Sequence, residues 1–152
     1  MPIHVEVVSQ ERKLFEEPEA DMVIIPGKEG ELGVLPRHTP LLTTMSFGEL
    51  RIKKGNAEES FVIYGGVVEV RPTKVVVLAD AADFTSDLSL DEVEAARERA
   101  AKILAEGPPP EEHTLIASEL RRAELAVHVI RKTRSRAGTI RIRSQVDETD
   151  DK

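Results

Sequence analysis

From residue 3 to about residue 80, apolar and polar positions alternate along the chain. Ile3, Val5 and Val7 are separated by His4 and Glu6, and Leu50 and Ile52 are flanked by Arg51 and Lys53. Successive side chains of a strand point to opposite faces, so a period of two predicts strands with one face in a core and one in water. Residues 61–64, 67–70 and 74–78 are further β-rich runs, punctuated by Gly55-Asn56, Gly65-Gly66 and Pro72-Thr73. Glycine at the first central position suits a type II′ turn, so residues 50–54 and 58–64 are expected to form a hairpin about Gly55-Asn56. Short strands recurring about every ten residues read as a sandwich or barrel.

At residue 86 the period changes. Ser89 and Glu92 have the S-x-x-E spacing of a capping box, and Leu88 and Val93 are placed to close a hydrophobic staple. Leu90, Val93, Ala96, Ala100 and Ile103 then recur every three or four residues, a helical stripe. Gly107 and the prolines at 108, 109 and 110 stop that helix. Ile116, Leu120, Ala123, Val127 and Ile130 repeat the spacing to about Arg136, with Gly138 able to close the end. The expected organisation is an all-β part over residues 1–84, an antiparallel α-helical hairpin over 85–138, and a charged, flexible tail over 139–152. Alanine on the facing stripes contributes far less than the roughly 1.5–3 kcal/mol of a buried Leu or Val. Such a hairpin is expected to be marginal alone and able to leave its docking surface.

Composition narrows the chemistry. A chain of 152 residues that is 40% hydrophobic can bury roughly two-thirds of its unfolded surface, but only 3% is aromatic, so Val, Ile, Leu and Ala must build the core. No cysteine is present, which removes disulfides, thiol catalysis and thiolate metal sites together. The start, MPIHVEVV, lacks the pattern of a secretory signal. The apolar runs fall far short of the roughly 20 residues of a spanning helix, so any attachment to a membrane is expected through another subunit.

The net charge of −7 is unevenly distributed. Residues 121–143 carry eight Arg or Lys against one acid, whereas residues 1–120 carry a net −11 and residues 144–152 a net −3. A basic end on an acidic body points to an acidic partner for that end.

Residues 27–43, GKEGELGVLPRHTPLLT, pack three glycines, two prolines and a histidine between apolar runs. Together with GELRI at 48–52, GGVVEVRPTKVVVLADAA at 65–82 and RRAELA at 121–126, this string resembles the epsilon subunit of the bacterial F-type ATP synthase, called delta in mitochondria. The resemblance runs in one register from about Ile3 to Ala126. It implies a ten-stranded β-sandwich of two five-stranded sheets followed by a two-helix hairpin. It also implies a non-catalytic rotor subunit that couples gamma-subunit rotation to the membrane c-ring. By the same resemblance, Glu29, Gly30 and Glu31 meet the c-ring, and Arg37, His38 and Thr39 lie in the neighbouring rotor-contact region, the six together forming the c-ring and gamma contact. The hairpin would brake ATP hydrolysis, its basic second helix (Arg121, Arg122, Arg131, Lys132 and Arg134) pressing on the alpha and beta catalytic subunits. Such a subunit sits on the cytoplasmic face of the bacterial plasma membrane, attached only through the complex.

Some family members bind ATP on the hairpin. Two registers of their motif compete here: residues 90–95 keep Asp91 but put Glu94 where arginine belongs, and residues 88–93 lose the Asp, Arg and Ala. Val129 and Thr133 stand where their second helix has arginines, so no nucleotide binding and no cofactor are expected. A glutamate facing phosphate repels it. His4, His38, His113 and His128 show no i, i+4 pairing and no H-E-x-x-H, so no metal site is expected, and no catalytic residue either. From the residues alone, Glu29 and Glu31 read as solvated turn carboxylates, and the basic run suits a solvated tail. The alternative function is a free-standing binding module whose basic helix engages polyanions. Nucleic acid is the weaker partner, because no aromatic platform accompanies the run.

Overall fold

Among the described residues, seven strands lie on one hydrogen-bonded path, ordered β2-β1-β7-β6-β5-β3-β4, and an eighth, β8, pairs β6 off that path. They are β1 (Ile3–Val8), β2 (Lys13–Ala20), β3 (Met22–Gly27), β4 (Gly30–Val34), β5 (Leu41–Lys54), β6 (Ala57–Val70), β7 (Lys74–Ala79) and β8 (Ala82–Phe84). Two helices follow, α1 (Leu90–Ala105) and α2 (Pro110–Ser135). The structure, a computed structural model, describes residues 2–136 and 140–142. Its contacts divide the described chain into two units, residues 2–83 with 140–142 and residues 84–136.

The path closes on itself as a sandwich. β2 is three ladders from β6, about 14 Å at ordinary strand spacing. Yet Phe15 on β2 meets Phe61 on β6 edge to face with ring centroids 5.4 Å apart. Lys54 Nζ on β5 likewise donates to Glu17 Oε1 on β2 at 2.7 Å. Only a sheet folded into two layers brings these pairs together. The alternating apolar positions fill the space between: Val5, Val7, Val23, Ile25, Leu50, Ile52, Ile63, Val68, Val75 and Val77 are fully buried.

The expected ten strands in two five-stranded sheets are not what the ladder shows. β5 and β6 run unbroken for 14 residues each and are shared by both layers. Early β5 pairs with late β6, which continues to β7, while Ile52 and Lys53 pair with β3. Gly65-Gly66, expected to separate strands, instead lies inside β6 at the bend, with φ of 86° and 140°. Glycine relieves crowding there rather than ending the strand.

The Gly55-Asn56 turn forms as expected, closing Lys54 against Ala57 with Gly55 at φ 56° and Asn56 at ordinary negative φ. In the helical unit, Ser89 caps α1, its side chain accepting from the Glu92 N–H at 3.4 Å. Gly107 at φ 71° turns the chain out of α1 and donates to the Leu104 carbonyl at 3.1 Å. Pro108, with no N–H, cannot add the second bond of a Schellman end. Ala100, Ala123, Ala126, Val127, Val129 and Ile130 are buried. Ile103, expected on the buried stripe, is 42% exposed, because it falls in the last turn before the break. Gly138, expected to close α2, lies outside the described residues.

Candidate functional site

The residues singled out from the sequence fall into separate places. Glu29 lies in the two-residue turn between β3 and β4, and Gly30 and Glu31 open β4, all three exposed, with Gly27 paired to Gly30 and Gly30 at φ 125°. A Cβ on Gly27 would stand 2.7 Å from the Gly30 carbonyl oxygen, so the tight turn depends on that glycine. Glu31 lies 3.9 Å from Arg51 Nη2, beside Glu49 and Glu58, which also face that guanidinium at 3.9 and 3.6 Å. This end of the molecule presents carboxylates on a preorganised turn.

Arg37, His38 and Thr39 come after β4 ends, separated from the first group by the strand's length of about 13 Å. Arg37 adopts φ 67°, unlike every other described non-glycine residue, and its N–H donates to the Pro72 carbonyl at 2.9 Å. His38 Nδ1 lies 2.7 Å from the Thr39 carbonyl, a local turn bond that gives the ring no catalytic partner. Beside this loop lies a shallow cleft of about 420 Å³ lined by Pro40, Leu41, Leu42, Glu69, Val70 and Arg71.

Sequence reasoning missed the outer face next to that cleft. Thr44, Val67, Leu78 and Val8 stand in register on β5, β6, β7 and β1, and the next row is Leu42, Glu69, Val76 and Glu6. Leu42 is 70% exposed and Leu78 47% exposed. Such an apolar row on a sheet surface marks an interaction site rather than a core. The signal was present, since valine and leucine occupy both phases of the alternation in β7, but period two alone cannot separate a doubly covered strand from a contact face.

On the helical unit the basic residues do not form one stripe. At about 100° per residue, Arg122 and Arg131 project from opposite sides of α2. Arg131 Nη2 donates to Glu94 Oε1 at 2.5 Å, joining α2 to α1. Arg121, Arg122, Lys132 and Arg134 are exposed, Val129 is buried and Thr133 is half-buried. Glu94 is thus a carboxylate engaged within the hairpin.

One cluster has the makings of a metal site: ligand atoms of His4, Glu6 and Glu16 lie within 4.8 Å of one another. Lys13 and Lys74 already bring positive charge there, at 3.2 Å from Glu16 and 3.3 Å from Glu6. His4 Nε2 lies 2.7 Å from Glu16 Oε1. That hydrogen bond, and then the one from Lys13, holds the Glu16 carboxyl below its ordinary value of 4.5 against the opposing effect of burial. The lowered value stabilises the fold fully above about pH 4.5, and the contribution is lost as pH falls through the folded value. His4→Ala is therefore expected to return Glu16 toward its ordinary titration and to shift acid unfolding to higher pH. Carboxyl NMR titration and denaturation midpoints between about pH 6 and 3 measure both; an unmoved Glu16 would disprove the pairing.

Residues 2–85 match the family model described as ATP synthase, Delta/Epsilon chain, beta-sandwich domain. An ATP synthase epsilon chain of Alkalilimnicola ehrlichii is 38% identical over 136 residues, covering 89% of this chain and 96% of the relative. One from Alkalihalophilus pseudofirmus is 46% identical over 98 residues, 64% of this chain and 73% of the relative. Among solved structures, a chain in the Euglena gracilis mitochondrial ATP synthase (OSCP/F1/c-ring, rotational state 1) matches with TM-score 0.66 at 18% identity, covering 89% of this chain and 81% of that one. A chain of the Tetrahymena thermophila mitochondrial ATP synthase central stalk and c-ring matches with TM-score 0.56 at 13% identity, covering 86% and 97%. At those identities the likeness shows the fold alone.

Proposed function

Because the chain belongs to the delta/epsilon family of ATP synthase subunits, we propose that its sandwich couples the gamma subunit to the c-ring, and that its hairpin restrains ATP hydrolysis. As an epsilon chain it is a non-catalytic part of a multisubunit, membrane-associated enzyme, and no described helix is long and apolar enough to cross a membrane. It works on the cytoplasmic face of the bacterial plasma membrane, held there by the complex.

The observation that carries the coupling role is the apolar row Val67, Leu78 and Val8 with Leu42 beside it. It gives gamma an area to cover whose affinity does not rest on charge. The acidic β3–β4 turn with Glu29 and Glu31 is a separate, polar contact suited to the c-ring's polar loops, and Arg37, His38 and Thr39 border the gamma face. Residues 1–84 act as the coupling domain and 85–138 as the regulatory one, with α2 meeting the alpha and beta subunits through Arg121, Arg122, Arg131, Lys132 and Arg134.

Capture of gamma by the full chain tests the reading. Retention is expected to persist from about 0.1 to 0.5 M salt, whereas contacts made by exposed charges are screened over that range. Leu78→Glu is expected to weaken it about tenfold or more. Loss of capture at the higher salt, with strong salt-sensitive binding to a polyanion, would favour the free-standing binding module instead.

A further inference from the structure

The first half of β6 has β5 along one side, and near its start the other side meets the chain's own C-terminal region. Ile140 bridges Ala57 in parallel, and the Glu58 N–H donates to the Ile140 carbonyl at 2.7 Å. Arg141 reaches Glu59 with both Nε and Nη2, at 3.2 and 3.1 Å to Oε1 and 3.4 Å from Nε to Oε2. Glu59 is 2% exposed and Ile142 is 5% exposed. A buried carboxylate needs a charged partner, and a guanidinium that meets both its oxygens answers that need in charge and in geometry. This is strand addition: a main-chain bond supplies the pairing and one side-chain socket supplies the selectivity.

We propose that the β6 edge at Ala57–Glu59 is a docking site for the chain's own residues 140–142, and that it tethers the C-terminal end of the helical hairpin. Residues 84–136 are then tied to the sandwich twice, covalently at residue 83 and reversibly through Arg141 in the Glu59 socket. Three residues lie between Arg136 and Ile140, a leash of at most about 14 Å. Resting on the brake reading above, the tether holds the hairpin away from its braking position, and release of Arg141 precedes braking.

The chain's lack of cysteine permits a clean test in the full-length protein. In Arg141→Ala, amide exchange at Glu58 is expected to quicken about tenfold or more while Val62, deeper in β6, keeps its rate. In a second variant, Ala57→Cys with Ile140→Cys, oxidation is expected to give an intramolecular disulfide, since bridge partners about 4.8 Å apart suit its span. An unchanged Glu58 rate, or no intramolecular disulfide, overturns the tether. In reconstituted complexes carrying the oxidised pair, reduction is expected to lower ATP hydrolysis severalfold. If reduction changes nothing while removal of the hairpin still raises hydrolysis, the tether's control of the brake is overturned. If removal of the hairpin also changes nothing, the brake reading fails, and the exchange and disulfide results still support the strand addition.

Discussion

Complexes reconstituted with a chain ending near residue 86 are expected to hydrolyse ATP faster than complexes with the full chain, by about fivefold or more. The truncation leaves the whole of the matched domain, residues 2–85, and removes both helices. The expectation follows from how the hairpin is built. Three of the six buried residues of α1 and α2 are alanines, and the first turns of α2 expose Glu111, Glu112, His113 and Leu115. Little apolar area is committed, so a second arrangement of the helices costs little. The ion pair between Arg131 and Glu94 is exposed, 58% and 31%, and such pairs contribute about 0–1 kcal/mol. A device of this kind shifts an equilibrium by about 1–3 kcal/mol, which corresponds to the expected change in rate. ATPase assays at equal incorporation of the two chains measure it. Equal rates would remove the brake while leaving the coupling role intact, because the proposed gamma contact lies on the sandwich alone.

Gly66→Ala is expected to cost about 3–5 kcal/mol, combining strain at a left-handed backbone with overpacking. A Cβ there would stand 2.3 Å from the Leu78 carbonyl oxygen and 2.9 Å from the Ala79 Cα, both backbone atoms of the neighbouring strand. With φ at 140°, the residue also occupies a conformation that side chains disfavour. Backbone atoms in a paired strand cannot give way as a flexible side chain would, so the bend of β6 itself must shift. Gly55→Ala provides the comparison: φ is 56°, but nothing lies within 4 Å of the added carbon, so only strain of about 1–2 kcal/mol is expected. Urea unfolding of the two variants measures the difference. Equal losses would show that the strands at the bend are not in close contact.

The two glycine variants also show how far the sequence could be read. Gly55-Asn56 was legible because a two-residue turn is a local event whose geometry follows from its own residues. Gly65-Gly66 has a similar local signature, but it serves a bend whose cause is β7, reached only through folding. The same distinction governs the candidate sites. The exposure of Glu29, Gly30 and Glu31 at the tight connection of β3 to β4 agrees with the local glycine and charge content of residues 27–31. The row of Val8, Val67 and Leu78 could not be read locally, since three strands must first come into register before it exists.

The alternation of Val, Ile and Leu, the cap at Ser89 and the break at Gly107 by themselves determined that a β-rich domain precedes two helices, because each is decided within a few residues. The tertiary structure alone decided that β5 and β6 serve both layers, that Glu17 meets Lys54, and that Glu59 meets Arg141 across 82 residues. Those pairings bury carboxylates where the chain folds over itself. Which cation arrives to compensate each one depends on the path of the whole chain rather than on its neighbours in sequence.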